Sequence, residues 1–538
     1  MRFTMRKISV GLWLWFCMSS AGAAPNVAFY YGANPPWAEL QAYDVVVVEP
    51  AHAGIDPTRA SRPGSQIFAY LSVGEIEFDR SYAKGLPEGL VKGANEPWRS
   101  HVVDQTHPEW PQFLVERIAA PLWNTGYRGF FLDTLDSFQL ISTTDEERVR
   151  QAQGLARAIR ALRTKFPTVK LIFNRGFEVL PELHRDAYAV AVESVYQGWN
   201  QKDKAYTEVP EVDRAWILQQ LQRVRDEYKL PVIAIEYAPP GRRDLARATA
   251  LRIAALGFIP WVTNSELDQV GVGNIEITPR KVLMLHDASS RDAKFYVNRI
   301  QTVVKAPLER LGYTVEYLDI SKPLPAYPLV GRYAGIVSWF TDDQAVMKPG
   351  VREWLTRQRE HGMRMAVLGN FPFPLTDTMA IAFGLSAGLP RAPRVLKIEV
   401  RDPIAGNEPL PSPDTRFFIP LRANEPSTML LRLRSDTGEI LDAAALMPWG
   451  GYVLTPYESA PALGAGGERW LIQPVEFMRR ALALPPLSRL SRIGEREQLA
   501  TSVASDAHRS LSGPVAGGLT RYELKQNGIE RLSITRAP

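Results

Sequence analysis

Two acidic side chains stand at the ends of two apolar runs. Gly129-Phe-Phe-Leu-Asp-Thr-Leu-Asp-Ser-Phe138 stops on Asp133, with Asp136 three residues later, and the run from Tyr188 to Val192 stops on Glu193. Two carboxyl groups flanking one bond are what glycoside hydrolysis needs: one protonates the leaving oxygen while the other attacks the sugar carbon or activates water. Each residue also has a plainer reading. Asp, Thr and Ser suit the start of a helix, and Glu193 suits an ion pair with Arg175 or a neighbouring lysine. Their company decides between the readings.

That company is acidic and aromatic. Residues that follow the other apolar runs are Tyr30 and Tyr31, Glu49, Glu75 and Glu77, Asn174 and Arg175, Tyr196, Glu236 with Tyr237, and Trp261 with Asn264. Aromatic faces stack on sugar rings, and carboxylates hydrogen-bond hydroxyls, neutralise amines and move protons. Their recurrence at strand ends points to a carbohydrate site, with a structural or substrate-binding role expected for Glu236 rather than a catalytic one. The seven histidines show no pair spaced for one helical face, so no metal is expected. No Gly-x-Ser-x-Gly elbow supports a serine hydrolase, and no cofactor is expected.

The runs themselves predict the scaffold. Val27 to Tyr31, Val45 to Val48, Ile67 to Val73, Gly129 to Leu132, Lys170 to Phe173, Tyr188 to Val192, Val232 to Ile235 and Gly257 to Val262 are eight candidate strands. Amphipathic segments lie between most of them, which implies a parallel sheet, and eight units match a (β/α)8 barrel, also called a TIM barrel. An open doubly wound sheet is the competitor, and polar residues at most strand ends favour the barrel, whose functional face is built from those ends. Strands two apart point side chains into one layer, which would let Asp133 and Glu193 face one substrate.

Beyond Lys281 the pattern restarts. Strands at Lys281 to His286, Thr314 to Leu318, Gly335 to Trp339 and Met365 to Leu368, with helices at Ala293 to Leu311 and Gly350 to His361, predict a flavodoxin-like α/β domain over 280–390. It carries no nucleotide-binding glycine signature. From 391 to 487, alternating stretches such as Phe417 to Pro420 and Met429 to Leu433 predict a β-rich extension or a continuation of that domain. Residues 488–538 hold one aromatic, Tyr522, and no sustained apolar period, so an atypical or disordered tail is expected.

Composition sets the remaining bounds. The 538 residues are 45% hydrophobic and 22% charged, as in globular domains. Arg2, Arg6 and Lys7, an apolar core and a small-residue end near Ala24 read as a secretory signal peptide over 1–24, implying a periplasmic or secreted protein. No other stretch is long and apolar enough for a membrane span. The one cysteine, Cys17, lies in that leader, so the remainder forms no disulfide. The formal charge of +5 includes the leader's three cations and is too small to indicate nucleic acid.

Four blocks carry a family resemblance: Val27-Ala-Phe-Tyr-Tyr-Gly32, Tyr70-Leu-Ser-Val-Gly-Glu-Ile-Glu77, Gly129 to Ser137, and the strand-end Glu193. Residues 26–275 resemble glycoside hydrolase family 114, the endo-α-1,4-polygalactosaminidases. The chain from there to about residue 487, with Trp449-Gly-Gly-Tyr452 and the Arg469 to Leu484 segment, resembles the second domain of the PelA-type proteins of Pel exopolysaccharide biosynthesis. The resemblance implies a barrel hydrolase acting on a partly deacetylated, cationic galactosamine polymer, with Asp133 and Glu193 as the catalytic pair and Asp136 as the alternative to Asp133. It also implies export-complex proteins as partners. PelA-type proteins continue into a deacetylase module with an Asp and a His-x-x-x-His pair. That pair does not occur here, so the deacetylase activity is not carried over. The rival expectation is a non-catalytic polysaccharide-binding subunit of an export or modification complex.

Overall fold

The computed structural model describes residues 25–484 apart from 55–56, 58–60, 62–63, 278, 290–303, 341–349, 374, 377–379, 390–394, 401–420, 436, 455–456, 460–467 and 471. The expected leader, the tail, residues 293–303 of the expected helix and the 417–420 strand lie outside the described residues.

Eight parallel strands form the first domain: β1 (Val27–Tyr30), β2 (Val45–Val48), β3 (Gln66–Ser72), β4 (Gly129–Asp133), β5 (Lys170–Asn174), β6 (Ala187–Glu193), β7 (Val232–Tyr237) and β8 (Ile259–Thr263). They pair in chain order, and the short strand Val272–Gly273 returns antiparallel on β8. The segments that follow the first and last strands meet where the Tyr31 N–H donates to the Leu267 carbonyl at 2.7 Å. This is the (β/α)8 barrel expected from the runs. The four valines of β2 are buried on both faces, as strands between barrel and helices must be, and each contributes roughly 1.5–3 kcal/mol by leaving water. The helix Asp145–Lys165 between β4 and β5 begins on a capping box, in which Thr144 accepts from the Glu147 N–H and Glu147 accepts from the Thr144 N–H.

Two insertions rise from the C-terminal ends of the strands. A three-stranded antiparallel sheet, Glu75–Glu77, Ser100–Val103 and Val91–Asn95, follows β3. A hairpin, Gln197–Asn200 with Ala205–Glu208, follows β6.

The second domain is built on an eight-stranded sheet. Its strands are β9 (Lys281–His286), β10 (Thr314–Asp319), β11 (Gly335–Phe340), β12 (Met365–Gly369), β13 (Val395–Val400), β14 (Thr428–Ser435), β15 (Ile440–Met447) and β16 (Gly450–Val453), in the order β10-β9-β11-β12-β16-β15-β14-β13. The first five are parallel in flavodoxin-like order. The β-rich stretch therefore continues the sheet: it supplies the fifth parallel strand and adds three antiparallel ones. This domain touches the barrel at the loop after β1, where the buried Arg332 donates to the Asn34 carbonyl at 2.7 Å, the Ala33 carbonyl at 3.2 Å and the Tyr30 hydroxyl.

Candidate active site

The ends of β4, β5 and β6 deliver Asp133, Asn174 and Glu193 to one point. Asn174 Nδ2 donates to Asp133 Oδ1 at 2.6 Å and to Glu193 Oε1 at 2.9 Å. The amide nitrogen carries two N–H donors, one for each carboxyl group. The two oxygens consequently lie no more than about 5.5 Å apart. The second oxygens are held as well: the Tyr70 hydroxyl donates to Asp133 Oδ2 at 2.8 Å and the Tyr237 hydroxyl to Glu193 Oε2 at 2.6 Å. Tyr31 packs edge-on to Tyr70, with ring centroids 5.2 Å apart. Burial, reinforced by the nearby carboxylates, pushes all three tyrosine hydroxyls well above the usual phenol range, so they remain donors at neutral pH.

Each of the three strand ends is followed by a left-handed residue that is not glycine: Thr134 with φ 60°, Arg175 with φ 58° and Ser194 with φ 63°. Such backbone costs on the order of 1 kcal/mol per residue and persists where surrounding bonds impose it. At Thr134 those bonds are visible. Its hydroxyl donates to the Asp133 carbonyl at 2.6 Å and accepts the Gly74 N–H at 2.8 Å. Only glycine fits at 74, because a Cβ there would lie 1.9 Å from the Thr134 carbonyl oxygen.

Burial and the Glu193 charge push the Asp133 carboxyl up to about 6. The Asp133 carboxyl therefore holds its proton nearer neutral pH than an isolated aspartate does.

The pair opens onto a cleft of about 2100 Å³, lined also by Tyr31, Glu49, Glu75, Asp136, Asn174, Arg175 and Tyr237. Nine carboxylates and three arginines line it, so the cleft is strongly anionic and suited to a cationic chain. Not all of these acids are free to meet a ligand. Arg80 takes both oxygens of Glu49, at 2.9 and 2.8 Å. Glu75 accepts from Asn95 at 3.0 Å, Ser137 at 2.6 Å and Ser100, which ties the β3 insertion to the loop after β4. Asp136 is half-exposed at the rim, 3.5 Å from Arg175, and touches neither Asn174 nor Glu193 through any hydrogen bond described. Among the described residues no group of three or more His, Cys, Asp or Glu is placed to hold a metal ion.

Five residues expected at the site do not line the cleft, among them Asn264, which is buried and donates to Asp268 Oδ1 at 2.7 Å. Tyr30 is buried beneath Arg332. Tyr196 is buried with the Arg252 guanidinium 3.9 Å from its ring centroid. Trp261 lies in the core, edge-on to Tyr43. Glu236 has no exposed surface and accepts the N–H groups of Val195 at 2.8 Å, Tyr196 at 2.9 Å and Gln197 at 2.5 Å. Burial lifts its carboxyl to about 7 against the pull of those donors. Glu236 thus fixes the segment after Glu193 rather than meeting a ligand. Alternation explains Tyr30 and Glu236, whose neighbours Tyr31 and Tyr237 face the cleft instead. The same rule finds the residue missed at Tyr70, which shares its face with Ser72 on β3.

The sequence model of glycoside-hydrolase family GH114 matches residues 15–276. Among solved structures, the chain is similar to the glycoside hydrolase domain of PelA from Pseudomonas aeruginosa, with 44% identity over 46% of this chain and 98% of that one, TM-score 0.42. A variant of that domain matches at 45% identity over the same shares, TM-score 0.43. Aspergillus fumigatus Ega3 in complex with galactosamine matches at 14% identity over 46% of this chain and 93% of that one, TM-score 0.33. No curated protein matches the chain. No helix among the described residues is long and apolar enough to cross a membrane. With the family model laid over the whole barrel and 44% identity across nearly all of the PelA hydrolase domain, the chain belongs to glycoside-hydrolase family GH114 and is a glycoside hydrolase.

Proposed function

We propose that this hydrolase is endo-acting and cuts α-1,4-linked galactosamine and N-acetylgalactosamine chains with retention of configuration. The observation that carries the mechanism is the single Asn174 nitrogen bound to both carboxylates. It holds the two bound oxygens no more than about 5.5 Å apart, which suits the close spacing of a retaining pair and falls short of the roughly 6.5–9.5 Å that leaves room for an attacking water.

In this reading Asp133 attacks the anomeric carbon and Glu193 protonates the departing oxygen. Glu193 then takes a proton from the water that releases the glycosyl ester on Asp133. Asn174, Tyr70 and Tyr237 hold both carboxylates in place and give no proton themselves. The substrate class rests on the family resemblance and on the excess of carboxylates, which favours a polymer carrying free ammonium groups. An exported enzyme, meeting its polymer in the periplasm or outside the cell, fits the leader composition of residues 1–24.

Mass spectrometry of partly acetylated α-1,4-galactosamine oligomers incubated with the chain tests this. Shorter oligomers are expected from the parent and none above background from Glu193→Gln or Asp133→Asn. Equal turnover by either variant removes that residue from the mechanism.

A further inference from the structure

Trp98 and Trp199 take no part in the hydrogen bonds that hold the carboxylate pair, yet both line the same cleft. Trp98 ends the short turn Glu96–Trp98 at the tip of the insertion after β3, with 58% of its surface exposed. Arg99 behind it closes the turn in left-handed backbone, with φ 52°. Trp199 stands on the hairpin after β6, opposite Tyr206, with ring centroids 4.8 Å apart. Its indole N–H donates to Gln201 Oε1 at 2.8 Å, and Gln201 Nε2 donates to the Pro97 carbonyl at 3.3 Å. A short chain of contacts, Trp199 to Gln201 to Pro97, thus brings the two insertions together and places both indoles in one stretch of cleft wall.

A tryptophan more than half exposed gains little for its own fold from burial. A galacto-configured pyranose offers a face of C–H groups that packs on an indole, and a protonated 2-amino group is drawn to the same ring face. We propose that Trp98 and Trp199 form an aromatic subsite binding a galactosamine unit of the polymer, outside the two units whose linkage is cut. This rests on the galactosamine-polymer reading above.

The test measures binding, by calorimetry, of partly acetylated α-1,4-galactosamine oligomers of stepwise length to the full chain carrying Glu193→Gln, with and without Trp98→Ala. Trp98 is exposed, so its removal leaves the core intact. Affinity is expected to rise at one step in oligomer length, to lose about tenfold at and beyond that step in the Trp98→Ala form, and to recover in Trp98→Phe. Equal affinity of both forms at every length, or no binding by either, overturns the subsite. Cleavage is judged separately on the parent's products, so failure of the subsite and failure of the hydrolase reading are told apart.

Discussion

Asp133 and Glu193 do not bond to one another, yet each gives an oxygen to the same nitrogen of Asn174, at 2.6 and 2.9 Å. That shared donor fixes their spacing and partly offsets the repulsion between two close negative charges. Asn174→Ala is expected to lower kcat about 100-fold through misplacement of the pair. The acid limb of the pH–rate profile should also move upward, because Asp133 loses a donor that favours its ionised form. Initial rates from pH 4 to 8 check this. An unmoved limb with unchanged kcat would show that Asn174 does not organise the pair.

The raised Asp133 carboxyl sets a sign for stability. Its folded value of about 6 lies above the unfolded value of 3.8, so the folded state holds the extra proton between them. Stability from this group is full below the unfolded value and declines as pH rises toward about 6. Asp133→Asn removes the charge and keeps an acceptor for Asn174. Relative to the parent it should gain stability as pH rises from 4 to 7 while losing activity. Urea unfolding of both forms across that range gives the difference, and a flat difference contradicts the assignment.

Glu236 offers two carboxylate oxygens to three N–H groups, which Gln cannot reproduce because its amide nitrogen would face a donor. Glu236→Gln is expected to cost about 1–3 kcal/mol. The specific readout is hydrogen exchange at residues 195–197, which should accelerate in the variant. Unchanged exchange there would leave Glu236 as an ordinary buried acid.

Arg332 carries its charge into a buried contact with the loop after β1, and burial lowers its guanidinium to about 10. Arg332→Ala leaves the Tyr30 hydroxyl and the carbonyl of Asn34 without this donor. A loss of about 1–3 kcal/mol is expected in thermal unfolding. A rise in KM is expected too, since Tyr31 of the same loop lines the cleft. Loss of stability with KM intact would confine the contact to holding the domains together.

The barrel was legible because its strands are short apolar runs ending in polar residues, as β2 and β4 show. Asp133, Glu193, Asn174 and Tyr237 all reach the site from such ends. Parity was harder to read than existence. Glu236 and Tyr237 are neighbours, and only Tyr237 faces the cleft, while Tyr70 lies two residues inside β3 and carried no strand-end signal. Trp98 and Trp199 lie in insertions whose meeting depends on a tertiary contact, Gln201 to Pro97, that no local pattern encodes. The second domain hid its topology for the same reason. Its fifth parallel strand, β16, follows three antiparallel ones, and pairing at that sequence distance is not written in the alternation of any one strand.

The most direct test of the close-set pair is the anomeric configuration of the first product, monitored by proton NMR while the chain cleaves an α-1,4-galactosamine oligomer. An α-configured reducing end appearing first, and equilibrating to β only afterwards, is the predicted result. A β-configured end appearing first would contradict a pair held within about 5.5 Å by Asn174.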